Sequence, residues 1–231
     1  FDNITSEMAE SVLSGEQTSG TAYAVNRMKE HLKVQGSSTE QPPKTVIEAL
    51  LSDNWEEWLV SILSEMRGLD DQGVFSHDWT FADLRKAGIR GKPVPCSTCL
   101  THKFKDGFLD RLKTRICIAG HQGNVTKGIH YHDVFSPSPN QHTERLLQAM
   151  MVIYHLQNLA WDIKQAYTWA PMPAGQRIAV VYPDGFKRYG PIDSNGERQE
   201  LSMVLEKNLY GMPSAGRGWG LHRDKTIHRL F

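Results

Sequence analysis

At 231 residues, 39% of them apolar and 23% charged, the chain is long enough to bury a sizeable core and too apolar to be disordered throughout. Lys+Arg and Asp+Glu number 26 each, so net charge alone makes no case for nucleic acid, and no run approaches the roughly 18 apolar residues of a membrane span. Three cysteines, an odd set, argue against a disulfide framework and for a reducing, intracellular compartment.

The charge is unevenly spread. Residues 1–81 carry 5 Lys+Arg against 14 Asp+Glu, whereas residues 85–115 carry 9 against 2, a basic patch of the kind that attracts phosphates or forms a solvated strand face. The chain opens on Phe1 without a signal pattern and reads as a piece of something longer. Residues 1–43, rich in Ser, Thr, Gly and Glu, read as a linker or peripheral arm with one short helical candidate over Thr21–Val34.

Next, Asp53 and Glu56 have the spacing of a capping box, and Trp55, Trp58, Leu59, Ile62, Leu63 and Met66 recur at helical spacing before Gly68 closes the run. The two tryptophans are read as packing residues. Cys96-Ser-Thr-Cys99 admits a zinc or redox reading beside the plainer one of buried thiols on a strand, because no partner set at zinc spacing is visible. Two strand-like arms then flank Asp106-Gly107, a dipeptide suited to the positive φ angles of a tight hairpin turn. Lys103, Lys105, Arg111, Lys113 and Arg115 populate the arms, and a period of two places Lys113 and Arg115 on one face.

His121, His130, His132 and His142 leave a metal reading open, with His130 and His132 on one face of a strand. Residues 142–156, with Thr143 as candidate cap, are apolar on most sides and predict a buried helix under a sheet. An apolar, strand-like run over residues 158–172 then carries a single carboxylate, Asp162, which in a core would have to be paired or hold a metal. "RIAVVYP" and "LSMVLEKNLYG" read as further strands of the same sheet, separated by a polar excursion through Asn195-Gly196.

Four segments, in order, resemble the reverse transcriptase region of copia-type retrotransposons. "DGFLDRLKTRICIAGHQ" is similar to the family's fingers hairpin, "GIHYHDVFSP" to its Gly-Ile-Asp-Tyr-x-Glu-Thr-Phe-Ala-Pro stretch, "WDIKQAYTWAPM" to its first palm motif, and "LEKNLYGMPSAGRGW" to its Leu-Tyr-Gly-Leu-x-x-x-x-Arg-x-Trp motif. The resemblance covers about residues 44–225 and rests on order and spacing together. It implies an α+β architecture: the fingers and incomplete palm of a right-hand polymerase, with a fingers-like region over residues 44–141 and a partial palm over 142–231.

Polymerisation is phosphoryl transfer, helped by two Mg2+ ions that need hard oxygen ligands, and the resemblance assigns the first of these to Asp162, aided by the Ile163 carbonyl. It places Tyr167 under the nucleotide sugar, beside the plainer reading of a core tyrosine. Lys113 and Arg115 would reach the triphosphate, Gly211 would let template or nucleotide approach the backbone, and Arg217 would contact a phosphate. The implied partners are an RNA or DNA primer-template and deoxynucleotides. Pro213 and Gly216 depart from the commoner family pattern. So does the lack of a Tyr-x-Asp-Asp hairpin after Trp219, where Asp224 is the sole acid. The expectation is a chain inactive by itself, or, from another class, an accessory subunit that meets other protein subunits in a larger assembly.

Overall fold

The computed structural model describes residues 41–136, 138, 140–157, 162–192, 196 and 198–229. The N-terminal arm up to residue 40, with its helical candidate, lies outside the described residues, as do residues 158–161 of the run before Asp162.

Helix α1 (Val46–Leu50) starts at Thr45, whose hydroxyl accepts the Glu48 N–H at 3.1 Å. Helix α2 (Trp55–Asp71) buries Trp58, Leu59, Ile62, Leu63, Met66 and Leu69 as the spacing predicts, while Trp55 faces outward. The expected capping box at Asp53 does not form. The chain enters through a turn in which Trp55 N–H bonds Ser52 O at 3.1 Å, so Asn54 takes the cap position and makes no side-chain cap bond. Nor does Gly68 end the helix. Gly73, at φ +63°, does so: the N–H groups of Gly73 and Val74 turn back to Asp70 O (2.8 Å) and Leu69 O (3.0 Å).

Strand β1 (Phe75–Trp79) leads into α3 (Phe81–Lys86), where Thr80 and Asp83 form the reciprocal cap that was expected one helix earlier. β2 (Cys96–Lys105) and β3 (Phe108–Ile118) form the antiparallel hairpin around Asp106-Gly107, with φ of +53° and +83° at the turn. Leu100, Leu112, Thr114, Ile116 and Ile118 are buried beneath the hairpin. Trp58 and Ile62 of α2 pack on its inner face with Val46 and Ala49 of α1.

Helix α4 (Gln141–Ile153) is capped by Asn140, not Thr143, and the expectation of burial fails: none of its residues is buried, and Leu146, Leu147, Met150, Val152 and Ile153 are exposed. Its apolar pattern signals a need for burial but cannot name the element that supplies it, and among the described residues none does. A short 3-10 turn, Ala166–Trp169, stands where a core strand was expected.

The remaining elements are β4 (Ile178–Val181), β5 (Tyr189–Ile192), β6 (Arg198–Glu200), β7 (Ser202–Leu205) and α5 (Ala215–Ile227). β7 is fully buried and lies between β1 and β4, antiparallel to both, while β5 and β6 pair as a separate hairpin. Central placement explains its unbroken apolar run: both faces of the strand are covered. Val94 extends the sheet beyond β4 through bonds to Ala179 O (2.8 Å) and from Val181 N–H (2.9 Å). The main core gathers Met203 and Leu205 of β7, Ile178 and Val180 of β4, Ile116 and Ile118 of β3, and Leu209, Met212 and Ala215 before and at the start of α5.

Tyr182, at the end of β4, ties three elements together. Its hydroxyl donates to Asp78 Oδ1 (3.0 Å), accepts the Asp78 N–H (3.1 Å) and meets His77 Nδ1 (3.0 Å), while His77 Nε2 lies 2.9 Å from Asp70 Oδ1. Burial raises the Tyr182 phenol above its ordinary range, which keeps it a neutral donor.

Candidate nucleic-acid and nucleotide interface

The register of the hairpin sets the chemistry of its outer face. Thr101 pairs with Lys113 and Cys99 with Arg115, while Lys103 pairs with Arg111 and Lys105 with Phe108. Directly opposed residues share a face, so the cations line one side of the hairpin from its tip to its base. Their crowding shows at Lys113, whose ammonium is held below the ordinary lysine range first by partial burial and then by Arg115, Arg111 and Lys103. An anion laid along this face would relieve that repulsion.

β3 is the edge of a two-stranded sheet, and its outward N–H groups need acceptors. Helix α2 and the segment before α5 supply them. Thr114 N–H bonds Ser61 Oγ at 3.0 Å, Ile116 N–H bonds the Glu65 carboxylate, and Ile118 N–H bonds Tyr210 O at 2.7 Å. Ser61 and Glu65 are one helical turn apart, and alternate strand N–H groups are spaced to meet them. Glu65 is half-buried behind the cationic face. Burial raises its carboxyl above the ordinary value, opposed by the Ile116 N–H, by Lys113 and Arg115, and by a hydrogen bond from Gln165. Sequence reasoning missed Glu65, though its place one turn after Ser61, beside the apolar stripe, was the available signal.

At the base of the face, the Arg115 guanidinium lies over the Tyr210 ring, 5.9 Å from its centroid, and Tyr167 meets Tyr210 edge to face at 5.6 Å. Arg115 and Tyr167, about 50 residues apart along the chain, are thus brought to one place by Tyr210, which was not among the expected residues, and Lys113 lies two residues from Arg115 on the same strand face. Burial lifts the Tyr210 phenol, and the Glu65 carboxylate adds to that shift. Tyr167 is half-buried.

Gln165, in the left-handed region at φ +51°, anchors the rest of this segment by a side-chain bond to Gln72 at the end of α2. The buried Thr168 hydroxyl bonds Gln72 and, at 2.7 Å, Gln165 O, and Lys207 reaches the Gln72 carbonyl. Asn208, also missed, is buried and donates to Ala170 O (3.1 Å) and Pro171 O (3.2 Å). With this anchoring, Asp162 and Ile163 are exposed and lie outside any strand, which corrects the expectation of a carboxylate inside a core strand. Solvent, rather than a salt bridge, accommodates the charge: among the described residues Asp162 makes no hydrogen bond or ion pair.

Gly211 and Arg217 are engaged within the protein. At Gly211, φ is +86° and a Cβ would stand 1.9 Å from Ile118 O, so the close approach that this glycine permits is to β3. Arg217 Nε lies 3.1 Å from Asp133 Oδ2, and its guanidinium reaches Phe135 O at 3.5 Å, fastening Asp133–Phe135 to α5. The Asp133 carboxyl is held below its usual range, first by the Phe135 N–H and also by Arg217.

A reverse transcriptase (RNA-dependent DNA polymerase) family model matches residues 77–230, more than half of the chain. The chain belongs to that family. No curated protein and no solved structure matches it. Family membership implies a nucleic-acid template and the use of divalent metal ions in general. It also orders the site: the matched span takes in the hairpin, the Asp162–Tyr167 segment and the Tyr210–Arg217 stretch, the parts that meet around Tyr210, whereas Glu65 lies before it.

Among the described residues no three His, Cys, Asp or Glu side chains converge to hold an ion, so these residues do not fit a two-metal centre. Asp162 supplies one exposed hard ligand. The zinc readings likewise find no cluster. His130 is buried, accepts the Thr126 N–H at 2.8 Å on Nδ1 and lies in a turn, while His121, His132 and His142 are exposed and stand apart from any strand. Cys99 is exposed and Cys96 and Cys117 half-buried, which corrects the expectation of two buried thiols. The Cys96 and Cys117 thiols are both pushed up to about 12, chiefly by burial, which leaves them protonated. No helix among the described residues is long and apolar enough to cross a membrane.

Proposed function

We propose that the chain supplies the fingers and part of the palm of a copia-type, right-hand reverse transcriptase, with residues 44–141 as fingers and 142–231 as palm. Its outer hairpin face receives the phosphates of primer-template and incoming deoxynucleotide. The observation that supports this reading is the meeting of Lys113, Arg115, Tyr210 and Tyr167 at the base of a cationic strand face. Arg115 presents a planar fork to phosphate oxygens and Lys113 a point charge, both on a rigid β scaffold. Tyr167 lies against Tyr210 where a sugar would pass, and Asp162 offers an accessible carboxylate five residues earlier. Ile163 beside it would offer its carbonyl to the same cation, Mg2+ in this reading.

The described residues bind and orient but do not by themselves assemble the metal centre, so the 231-residue chain binds nucleic acid without extending a primer. Two measurements test this. Affinity for a primer-template should fall steeply with salt, as counterion release requires, and primer extension with Mg2+ and deoxynucleotides should give no product. Extension by the chain would overturn the incomplete-centre argument. Absence of binding at low salt would overturn the nucleic-acid reading. That second result would favour an accessory subunit of a larger protein assembly, a reading motivated by the uncovered apolar residues of α4.

A further inference from the structure

The tip of the hairpin carries two exposed aromatic residues, Phe104 and Phe108, in one of the most basic stretches of the chain. Single exposed apolar residues are ordinary on protein surfaces, but these two sit on opposite faces of one turn and differ in their surroundings. Phe104 continues the inner-face ring ladder of Trp58, His102 and Phe104, with centroids 5.8 and 6.3 Å apart. Phe108 pairs with Lys105 and therefore belongs to the outer face, in register with Lys103–Arg111 and with Lys113 and Arg115 beyond. It is 54% exposed.

We infer that Phe108 is a stacking platform for a base of an unpaired nucleic-acid strand, whose phosphates follow the cations of the same hairpin face down to Arg115 and Tyr210. The inference rests on the proposed function and adds the kind of nucleic acid and the place where it is gripped. From Lys105 to Cys99 the face runs about 20 Å, at roughly 3.3 Å per residue, with alternate residues on one strand about 6.6 Å apart. Cations interleaved with aromatic rings are the combination that holds single strands without regard to sequence: each base has a π-face, and each phosphate a charge. Phe108 and Tyr210 stand at the two ends. Among the described residues the acidic groups near the path are Asp106, in the turn between Lys105 and Phe108, Asp110, at the bulge and 3.8 Å from Arg111, and Glu65, behind the face at its base. Within a duplex the base faces are stacked on one another and none is offered to Phe108, so the occupant is an unpaired strand.

The experiment compares a labelled oligothymidylate with a long linear duplex, whose interior base pairs far outnumber its two ends, by fluorescence anisotropy against salt, on the full chain. Phe108→Leu should weaken single-strand binding roughly tenfold, leave its salt slope unchanged and spare the duplex, whereas Phe108→Trp should match or exceed the wild type. Because Phe108 is exposed, both variants should fold, and the tryptophan variant tests stacking if the leucine variant does not. Equal loss on single strand and duplex, or no loss with Phe108→Leu, would overturn the platform while leaving the nucleic-acid reading in place. Failure of the wild-type chain to bind either probe at low salt would overturn both.

Discussion

Replacing Gly211 by alanine tests whether this loop is built for the protein's own backbone. At φ +86° an alanine is strained by about 1–2 kcal/mol, and its Cβ would stand 1.9 Å from Ile118 O, far inside contact distance. The loop must therefore back away from β3. Retreat breaks the 2.7 Å bond from Ile118 N–H to Tyr210 O, leaving a buried donor unpaired at a cost of about 1–3 kcal/mol. The expected loss is roughly 3–4 kcal/mol, or a fall in Tm of roughly 10 °C for a chain of this size. Urea unfolding should show a lower midpoint at an unchanged slope. Tyr210 would move with the loop, so binding at the Arg115 end of the hairpin should weaken as well. A Gly211→Ala variant within about 0.5 kcal/mol of wild type would refute the reasoning, since the strain and the broken bond each exceed that value.

Glu65→Ala should cost about 1–2 kcal/mol by stripping the Ile116 N–H of its acceptor, whereas Glu65→Gln keeps an acceptor and should cost less. Because burial raises the Glu65 carboxyl, the stability tied to its protonated form is fully present below the ordinary value of 4.5 and lost as pH rises through the folded value; denaturant titrations of Glu65→Gln should lack that decline. Arg115→Ala should lower the salt slope of oligonucleotide binding by about 1, and Arg217→Ala, whose guanidinium is committed to Asp133, should leave it unchanged; equal effects would undo the assignment. Tyr182→Phe removes the hydroxyl shared by Asp78 and His77 and should cost about 2 kcal/mol in urea unfolding.

The hairpin was the most legible part of the fold, because Asp106-Gly107 names its turn and a period of two names its faces. The buried stripe of α2 was legible for a similar local reason, although its ends were not: backbone bonds around Ser52 and Gly73 decided them. The apolar character of α4 was read correctly and its burial was not, since hydropathy reports a preference and tertiary packing supplies the partner. Asp162 shows the same limit in reverse. Apolar neighbours suggested a core strand, but the bonds linking Gln165, Thr168 and Gln72 turn the chain into a 3-10 turn and leave the carboxylate in solvent.

The order of short motifs along the chain was enough to point to the reverse transcriptase family, because residue types at fixed local spacing survive in a linear reading. Which residues stand together was decided only in three dimensions. Glu65 meets Ile116 because a helix covers the open edge of a strand, and Tyr210 meets Arg115 and Tyr167 because a backbone bond draws its loop onto that same edge. Edge N–H groups must find acceptors once they leave water, and the acceptors they find here lie about 50 and 90 residues away along the chain, beyond the reach of any local pattern.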